Sequence, residues 1–314
     1  MAADYLHNHP QFRDLIRIVA EEKGIDPALV EKDYWIMHCL YGLQRQGLTF
    51  QLKGGTSLSK GFQIINRFSE DIDIRIEPPA DRDVKMGRNQ TKPAHVQSRR
   101  EFYDWLASAI CIDGIEKVER DSSFDNKVLT SAGIRLLYRS LAEPVNGLRE
   151  GVLLEAGFDD VTPNAPRDIG SWAYDYAADK ADIIDNRAKG VSCYDPGYTF
   201  VEKLQTISTK FRLQQQSGES PVAFMRHYYD IYSLLQHRDV QQFIGTDPYK
   251  AHKAKRFRGA DNPDIAQNDA FALSDPKTRN VYDAAFVASG VLYYGIRPSL
   301  DQILGEVKKW IDRL

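Results

Sequence analysis

The chain has 314 residues, 42% hydrophobic and 27% charged, with a formal net charge of −3. That length allows one large domain or two smaller ones, and that balance excludes wholesale disorder. A slightly acidic total does not announce a nucleic-acid binder, but it leaves room for a local basic patch.

Phe12, Leu15, Ile16 and Val19 recur at i, i+3, i+4, i+7 and predict an amphipathic first helix, which Gly24 stops. Asp26-Pro27 reads as an N-cap followed by proline at the first helical position, opening a second helix to about Gln46. A short strand, LTFQLKG, ends at Gly54-Gly55, and Thr56 to Ile65 reads as a helix beginning directly after it. Asp71 to Ile76 (DIDIRI) alternates with period two and predicts a strand that Pro78-Pro79 ends. Ala80 to Pro93 is charged and aperiodic, which predicts a mobile loop before a helix over about His95 to Ile110.

Three more strand-like stretches follow, Ile115 to Arg120, Lys127 to Tyr138 and Gly151 to Phe158, making a mixed sheet of about five strands. Beyond residue 195 the pattern turns helical, with Tyr198 to Gln216, Val222 to Gln236 and a last helix opened by the capping box Ser299 to Gln302. The expected class is α+β. Residues 1–195 form an α/β domain with N-terminal helices, and residues 196–314 form a helical domain completing an active-site cleft. Cys39, Cys111 and Cys193 lie far apart without a CxxC spacing, so neither zinc nor a disulfide framework is expected. The N-terminus has no apolar h-region, and no apolar run is long enough to span a bilayer, so a soluble cytoplasmic protein without membrane contact is expected.

The segment Lys53 to Ile76 carries the chemistry. A strand ending in two glycines that open a helix lets a ligand approach the backbone, and free N–H groups at a helix start suit phosphate. Taken alone, the pair is weak evidence, since such sites are more often merely tight turns. Asp71 and Asp73 share one strand face, roughly 6–7 Å apart, while Ile72, Ile74 and Ile76 take the other. Two such acids either hold a divalent cation or sit on a solvated edge strand. The glycine pair and the acid pair, about fifteen residues apart in this order, are what nucleotidyl or phosphoryl transfer requires. The P-loop pattern GxxxxGK[ST] is absent.

Gly54-Gly55-Thr56 with Leu58, followed by Arg67-Phe68-Ser69-Glu70-Asp71-Ile72-Asp73, resembles the GGT…L…RFSxDID signature of the AbiEii/AbiGii family. These are nucleotidyltransferase-like toxins of type IV toxin–antitoxin and abortive-infection systems. Glu31-Lys32-Asp33-Tyr34-Trp35, Glu202-Lys203-Leu204 and Arg226 to Tyr232 (RHYYDIY) resemble its flanking motifs more loosely. The resemblance implies a DNA polymerase β-like nucleotidyltransferase core. Ser69, Asp71 and Asp73 would belong to the first catalytic motif, and Asp230 would complete a later one. Gly54, Gly55 and Thr56 would cradle the nucleotide, and Lys203 would contact its phosphates, with Lys210 on a similar helix face as the alternative. A third acid is expected on a neighbouring strand: Glu155, with Asp159 as fallback, would join Asp71 and Asp73 around Mg²⁺ or Mn²⁺.

His227 reads as a proton shuttle or a structural histidine. Lys250, His252, Lys253, Lys255, Arg256 and Arg258 form the densest basic run, either a solvated face or a phosphate-tracking patch that Arg99-Arg100, Lys308-Lys309 and the loop Arg82 to Lys92 would extend. The expected activity is transfer of an NMP from an NTP to RNA, with the tRNA 3′ end as the favoured acceptor and translation blocked in consequence. The expected protein partner is a cognate antitoxin encoded nearby. The alternatives are a protein-directed phosphotransferase or nucleotidylating enzyme, or a non-catalytic nucleotide- or RNA-binding module.

Overall fold

The computed structural model describes residues 3–145, 147–257 and 259–314. The chain divides into two compact units, one formed by the chain up to Gly61 with Phe68–Tyr194, the other by Phe62–Arg67 with Asp195–Leu314.

In the first unit, α1 (Phe12–Lys23) buries Phe12, Ile16, Val19 and Ala20 on one face and ends at Gly24, whose φ of 62° suits glycine. α2 (Pro27–Arg45) opens on Asp26, whose carboxylate accepts from the Ala28 N–H at 2.8 Å. It is buried almost all round, which marks it as the core helix. β1 (Phe50–Lys53) runs into a short helix, α3 (Gly54–Thr56), which continues as a π turn over Ser57–Gly61. Then come β2 (Asp71–Ile76), α4 (Pro93–Ala109), β3 (Ile115–Asp121), β4 (Ser131–Tyr138), β5 (Val152–Gly157), β6 (Asn164–Ile169), α5 (Trp172–Ala177) and β7 (Ala188–Tyr194).

Among the described residues, seven strands form one mixed sheet in the order β3-β4-β5-β2-β1-β7-β6. β2 pairs antiparallel with β1 and parallel with β5, so it lies near the centre. Leu52, Ile72, Ile74, Ile134, Leu136 and Leu154 are fully buried on the apolar face, over which α2 packs. Seven strands replace the five expected from sequence because β6 and β7 carry weak signals. β6 is polar and contains Pro166, a residue that an edge strand tolerates and a central one does not. The expected helix Thr56 to Ile65 is also shorter: it ends at Gly61, and Phe62–Arg67 belong to the second unit. The loop before α4 has no regular element over its length, yet buried Arg99 holds it by donating to the carbonyls of Lys85 at 2.5 Å and Gln90 at 2.9 Å.

The second unit is helical, with α6 (Pro196–Ser217), α7 (Arg226–Leu235), α8 (Arg238–Phe243), α9 (Asp247–Arg256), α10 (Asp269–Ala272), α11 (Pro276–Ala288) and α12 (Leu300–Trp310). Asp195 caps α6 by accepting from the Gly197 and Tyr198 N–H groups, and Gly218 ends it at φ 70°. Val222 to Gln236 is not one helix: a 3-10 turn over Pro221–Phe224 precedes α7. The capping box at Ser299 and Gln302 is formed on both sides. No helix among the described residues is long and apolar enough to cross a membrane.

His38 on α2 gives the first unit a pH dependence. Its Nε2–H donates to the Asp113 carbonyl at 3.1 Å, and its Nδ1 accepts from the Asn186 amide at 3.0 Å. Both contacts suit the neutral ring, and burial, with His7 nearby, lowers its pKa to about 4. The unfolded ring takes a proton at about 6.5, so below that pH the unfolded state binds more protons. Stability should therefore fall as pH drops from about 6.5 toward about 4, by at most about 1.4 kcal/mol per pH unit. Urea unfolding at stepped pH reads this, and His38→Gln should flatten the slope; an unchanged slope would assign the effect elsewhere.

Candidate active site

The register of the central strands assembles an acidic face. Asp73 lies opposite Lys53 on β1 and opposite Glu155 on β5, while Asp71 lies opposite Leu153. Strand alternation therefore puts Lys53, Asp71, Asp73 and Glu155 on one face, with Ile72, Ile74 and Ile76 on the other. Asp71 is buried, and Asp73 and Glu155 are half-buried. The solvated-edge reading of the acid pair does not hold, because β2 is paired on both sides. Asp159 is no strand-face acid; it lies past the end of β5 and pairs with Arg88 at 2.9 Å.

Gly54 and Asp73 meet closely. Gly54 has φ +72°, and a Cβ there would lie 2.2 Å from Asp73 Oδ2. Only glycine satisfies both conditions. Gly54→Ala should cost about 1–3 kcal/mol through backbone strain alone and displace the Asp73 carboxylate as well. Urea unfolding measures the first part, and an unchanged midpoint would show that the turn yields without cost. Gly55 and Thr56 are buried, and the Thr56 hydroxyl donates to the Asp71 carbonyl at 2.7 Å, tying the helix start to β2. Ser69 lies half-buried in the irregular stretch leading into β2.

The charged start of the EKDYW stretch on α2, to which sequence reasoning gave no task, fastens the surroundings of this face. Glu31 accepts from the N–H groups of Leu141 and Ala142 at 2.8 and 3.0 Å. Lys32 donates to the Arg149 carbonyl at 2.6 Å and meets Glu70, the residue before Asp71, at 3.4 Å. Asp33 pairs with Lys60 at 2.6 Å and accepts from the Trp172 N–H at 2.9 Å. All three are 1% exposed, so the charges sit in the core because each has a partner. The signal in the sequence was their place on a helix otherwise apolar all round.

The second unit has its own buried charge cluster. Asp230, 0% exposed, accepts from Arg67 Nε at 2.6 Å and from its terminal nitrogen at 2.8 Å, and pairs with Lys203 at 2.7 Å. Burial would raise the Asp230 carboxyl, but Arg67 and Lys203 outweigh it and hold it far below the usual carboxylate range. Lys203 Nζ also approaches His227 Nδ1 at 3.5 Å, and burial with the neighbouring cations keeps that imidazole neutral. Lys203 is therefore tied to Asp230, whereas Lys210 is exposed. Sequence reasoning named Arg67 only as part of the RFSxDID stretch, yet it is the bidentate partner of Asp230. Tyr228 donates to the Ala270 carbonyl and Tyr229 accepts from the Asn66 N–H, so both tyrosines serve packing.

Among the described residues, part of the basic run is engaged within its own unit. His252 and Arg256 face Glu202 at 3.7 and 3.6 Å, and Lys253 donates to the Leu314 carbonyl. Lys250 and Lys255 are exposed, and Arg258 lies outside the described residues. Arg99 is buried and serves the loop it holds.

A family model described as the nucleotidyl transferase AbiEii toxin of type IV toxin–antitoxin systems matches residues 38–305. The chain belongs to the AbiEii family. Membership makes it a nucleotidyltransferase-family protein of a toxin–antitoxin system and implies an antitoxin partner. Among solved structures, an antigenic nucleotidyltransferase-like protein from Paracoccidioides brasiliensis is similar at 12% identity and a TM-score of 0.36, over 81% of this chain and 93% of its own. No curated protein matches. Within the matched range, Gly54 lies against Asp73, and the β2–β5 register sets Glu155 opposite Asp73.

Proposed function

We propose that this AbiEii protein transfers a nucleotide from an NTP to an RNA hydroxyl, with the tRNA 3′ end as acceptor, and so stops translation. The observation that carries this reading is the meeting of Gly54 with Asp73 on a face that also bears Asp71 and Glu155. Carboxylate oxygens are the donors a hard divalent cation takes, so the set fits Mg²⁺ or Mn²⁺. No three His, Cys, Asp or Glu side chains among the described residues close into one metal-holding group. Mg²⁺ needs only one or two protein carboxylates where phosphates complete its shell. Asp71 and Asp73 would hold it, with Glu155 beside Asp73. A bound cation would offset phosphate charge and favour ionisation of the attacking hydroxyl.

The chain itself supplies the rest. Gly54 and Gly55 allow phosphate to approach the backbone, and Lys53, on the same face, places a cation near the acids. The acceptor oxygen bonds to the α-phosphorus, the bond to the β-phosphate breaks, pyrophosphate leaves, and the hydroxyl proton passes to a carboxylate of this face. Sequencing RNA 3′ ends after induced expression tests the acceptor. Extra nucleotides on tRNA with the wild type, absent with Asp71→Asn, are expected. Unextended tRNA ends in cells whose growth has stopped would overturn the tRNA assignment and favour a protein acceptor.

A further inference from the structure

The loop between β4 and β5 delivers Arg149 to the acidic face through a double backbone anchor. The Arg149 N–H donates to Glu70 Oε2 at 3.2 Å, and its carbonyl accepts from Lys32 at 2.6 Å. Lys32 is 1% exposed and Glu70 8%, and they meet each other at 3.4 Å, so the anchor is a closed triangle on two buried side chains. From that fixed base the Arg149 guanidinium reaches to 3.8 Å from Asp71 Oδ1 and lies 5.0 Å from the Phe124 ring centroid. Phe124 fits there because Gly133 has no side chain: a Cβ would meet Phe124 Cβ at 2.8 Å.

Two features set this contact apart from a resting ion pair. At 3.8 Å the guanidinium makes no hydrogen-bonded fork with the carboxylate, although an arginine fork suits carboxylate and phosphate alike. Half of the arginine side chain, 50%, remains exposed while Asp71 is only 10% exposed. The backbone is fixed, and half of the side chain stays open to solvent.

We propose that Arg149 is a phosphate-binding residue of this site, one that balances Asp71 before a cation arrives and then turns to a phosphate oxygen of the NTP. The inference rests on the proposed nucleotidyl transfer and adds a residue to it. Charge exchange explains the geometry: once Asp71 takes a cation, the guanidinium loses its reason to stay, and the incoming phosphates supply a better partner.

Two binding measurements on the intact protein test this without turnover. Electron paramagnetic resonance reads Mn²⁺ affinity without nucleotide, and fluorescence of a labelled, non-hydrolysable ATP analogue reads nucleotide affinity at saturating Mn²⁺. Arg149→Gln should bind Mn²⁺ more tightly, because the competing cation is gone, and bind the analogue about tenfold more weakly. Arg149→Lys should recover part of the analogue affinity, since a lysine keeps the charge but not the fork. Opposite signs are the signature, because a merely structural role would weaken both. Unchanged analogue affinity, or both affinities falling together, overturns the assignment of Arg149. Mn²⁺ binding that survives Asp71→Asn would instead count against the metal site itself, and the proposal would fall with it.

Discussion

Asp71→Asn and Asp73→Asn should each lower nucleotide transfer by about a thousandfold while leaving the fold in place. Each change replaces a carboxylate by an amide of the same shape, so β2 keeps its pairing with β1 and β5. The Thr56 hydroxyl bonds the carbonyl of Asp71 and not its side chain, and that tie survives as well. What disappears is negative charge on the sheet face. Offsetting triphosphate charge and activating a hydroxyl contribute several kcal/mol to such a reaction, and each 1.36 kcal/mol is tenfold in rate, which gives the ~10³ scale. Initial rates of labelled-RNA formation, with the urea midpoint as control, measure it. Full transfer by either variant at an unchanged midpoint would remove the acid pair from the chemistry. Glu155→Gln should have a smaller effect, since Glu155 sits on the neighbouring strand opposite Asp73 and Mg²⁺ needs only one or two protein carboxylates.

Asp230→Ala should act through stability instead. Its carboxylate is fully buried and is the shared partner of Arg67 and Lys203, so truncation leaves two cations facing each other in a dry interior. Removing one partner of a buried ion pair costs about 3–5 kcal/mol, mostly because the remaining charge is uncompensated. Chemical denaturation should show that loss. The pH dependence has a definite sign. Asp230 has a folded pKa below its unfolded value of about 3.9, so its contribution is present above that pH and disappears as pH falls through the folded value. A wild-type midpoint in Asp230→Ala would contradict the cluster's structural role. Lys203→Met should cost less, because Arg67 still holds Asp230 on two hydrogen bonds.

Local pattern made much of this visible before the fold was seen. The period-two run Asp71 to Ile76 gave both the strand and the face its acids occupy, because alternation is a property of the chain itself. Asp26-Pro27 and Ser299 to Gln302 gave helix starts for the same reason: caps act within a few residues. Glu155 is a lone acid in the apolar run GVLLEAGF, and the β2–β5 register sets it opposite Asp73.

Long-range partnership stayed hidden. Nothing in the spacing of Arg67 and Asp230, 163 residues apart, says that they form a bidentate pair. The same holds for Lys32 with Arg149 and for Asp33 with Lys60. Strand β6 escaped because an edge strand need not look like a core one. The basic run has the same limit: composition shows charges but not their partners, and Glu202 accounts for two of them.

The central claim is that this chain moves a nucleotide, and one labelling experiment addresses it most directly. The protein is incubated with total tRNA, a divalent cation and NTPs radiolabelled either at the α-phosphate or at the γ-phosphate. Nucleotidyl transfer puts the α-label on RNA and releases the γ-label as pyrophosphate. Label from the γ-phosphate on RNA or protein, or α-label on protein alone, would contradict the account.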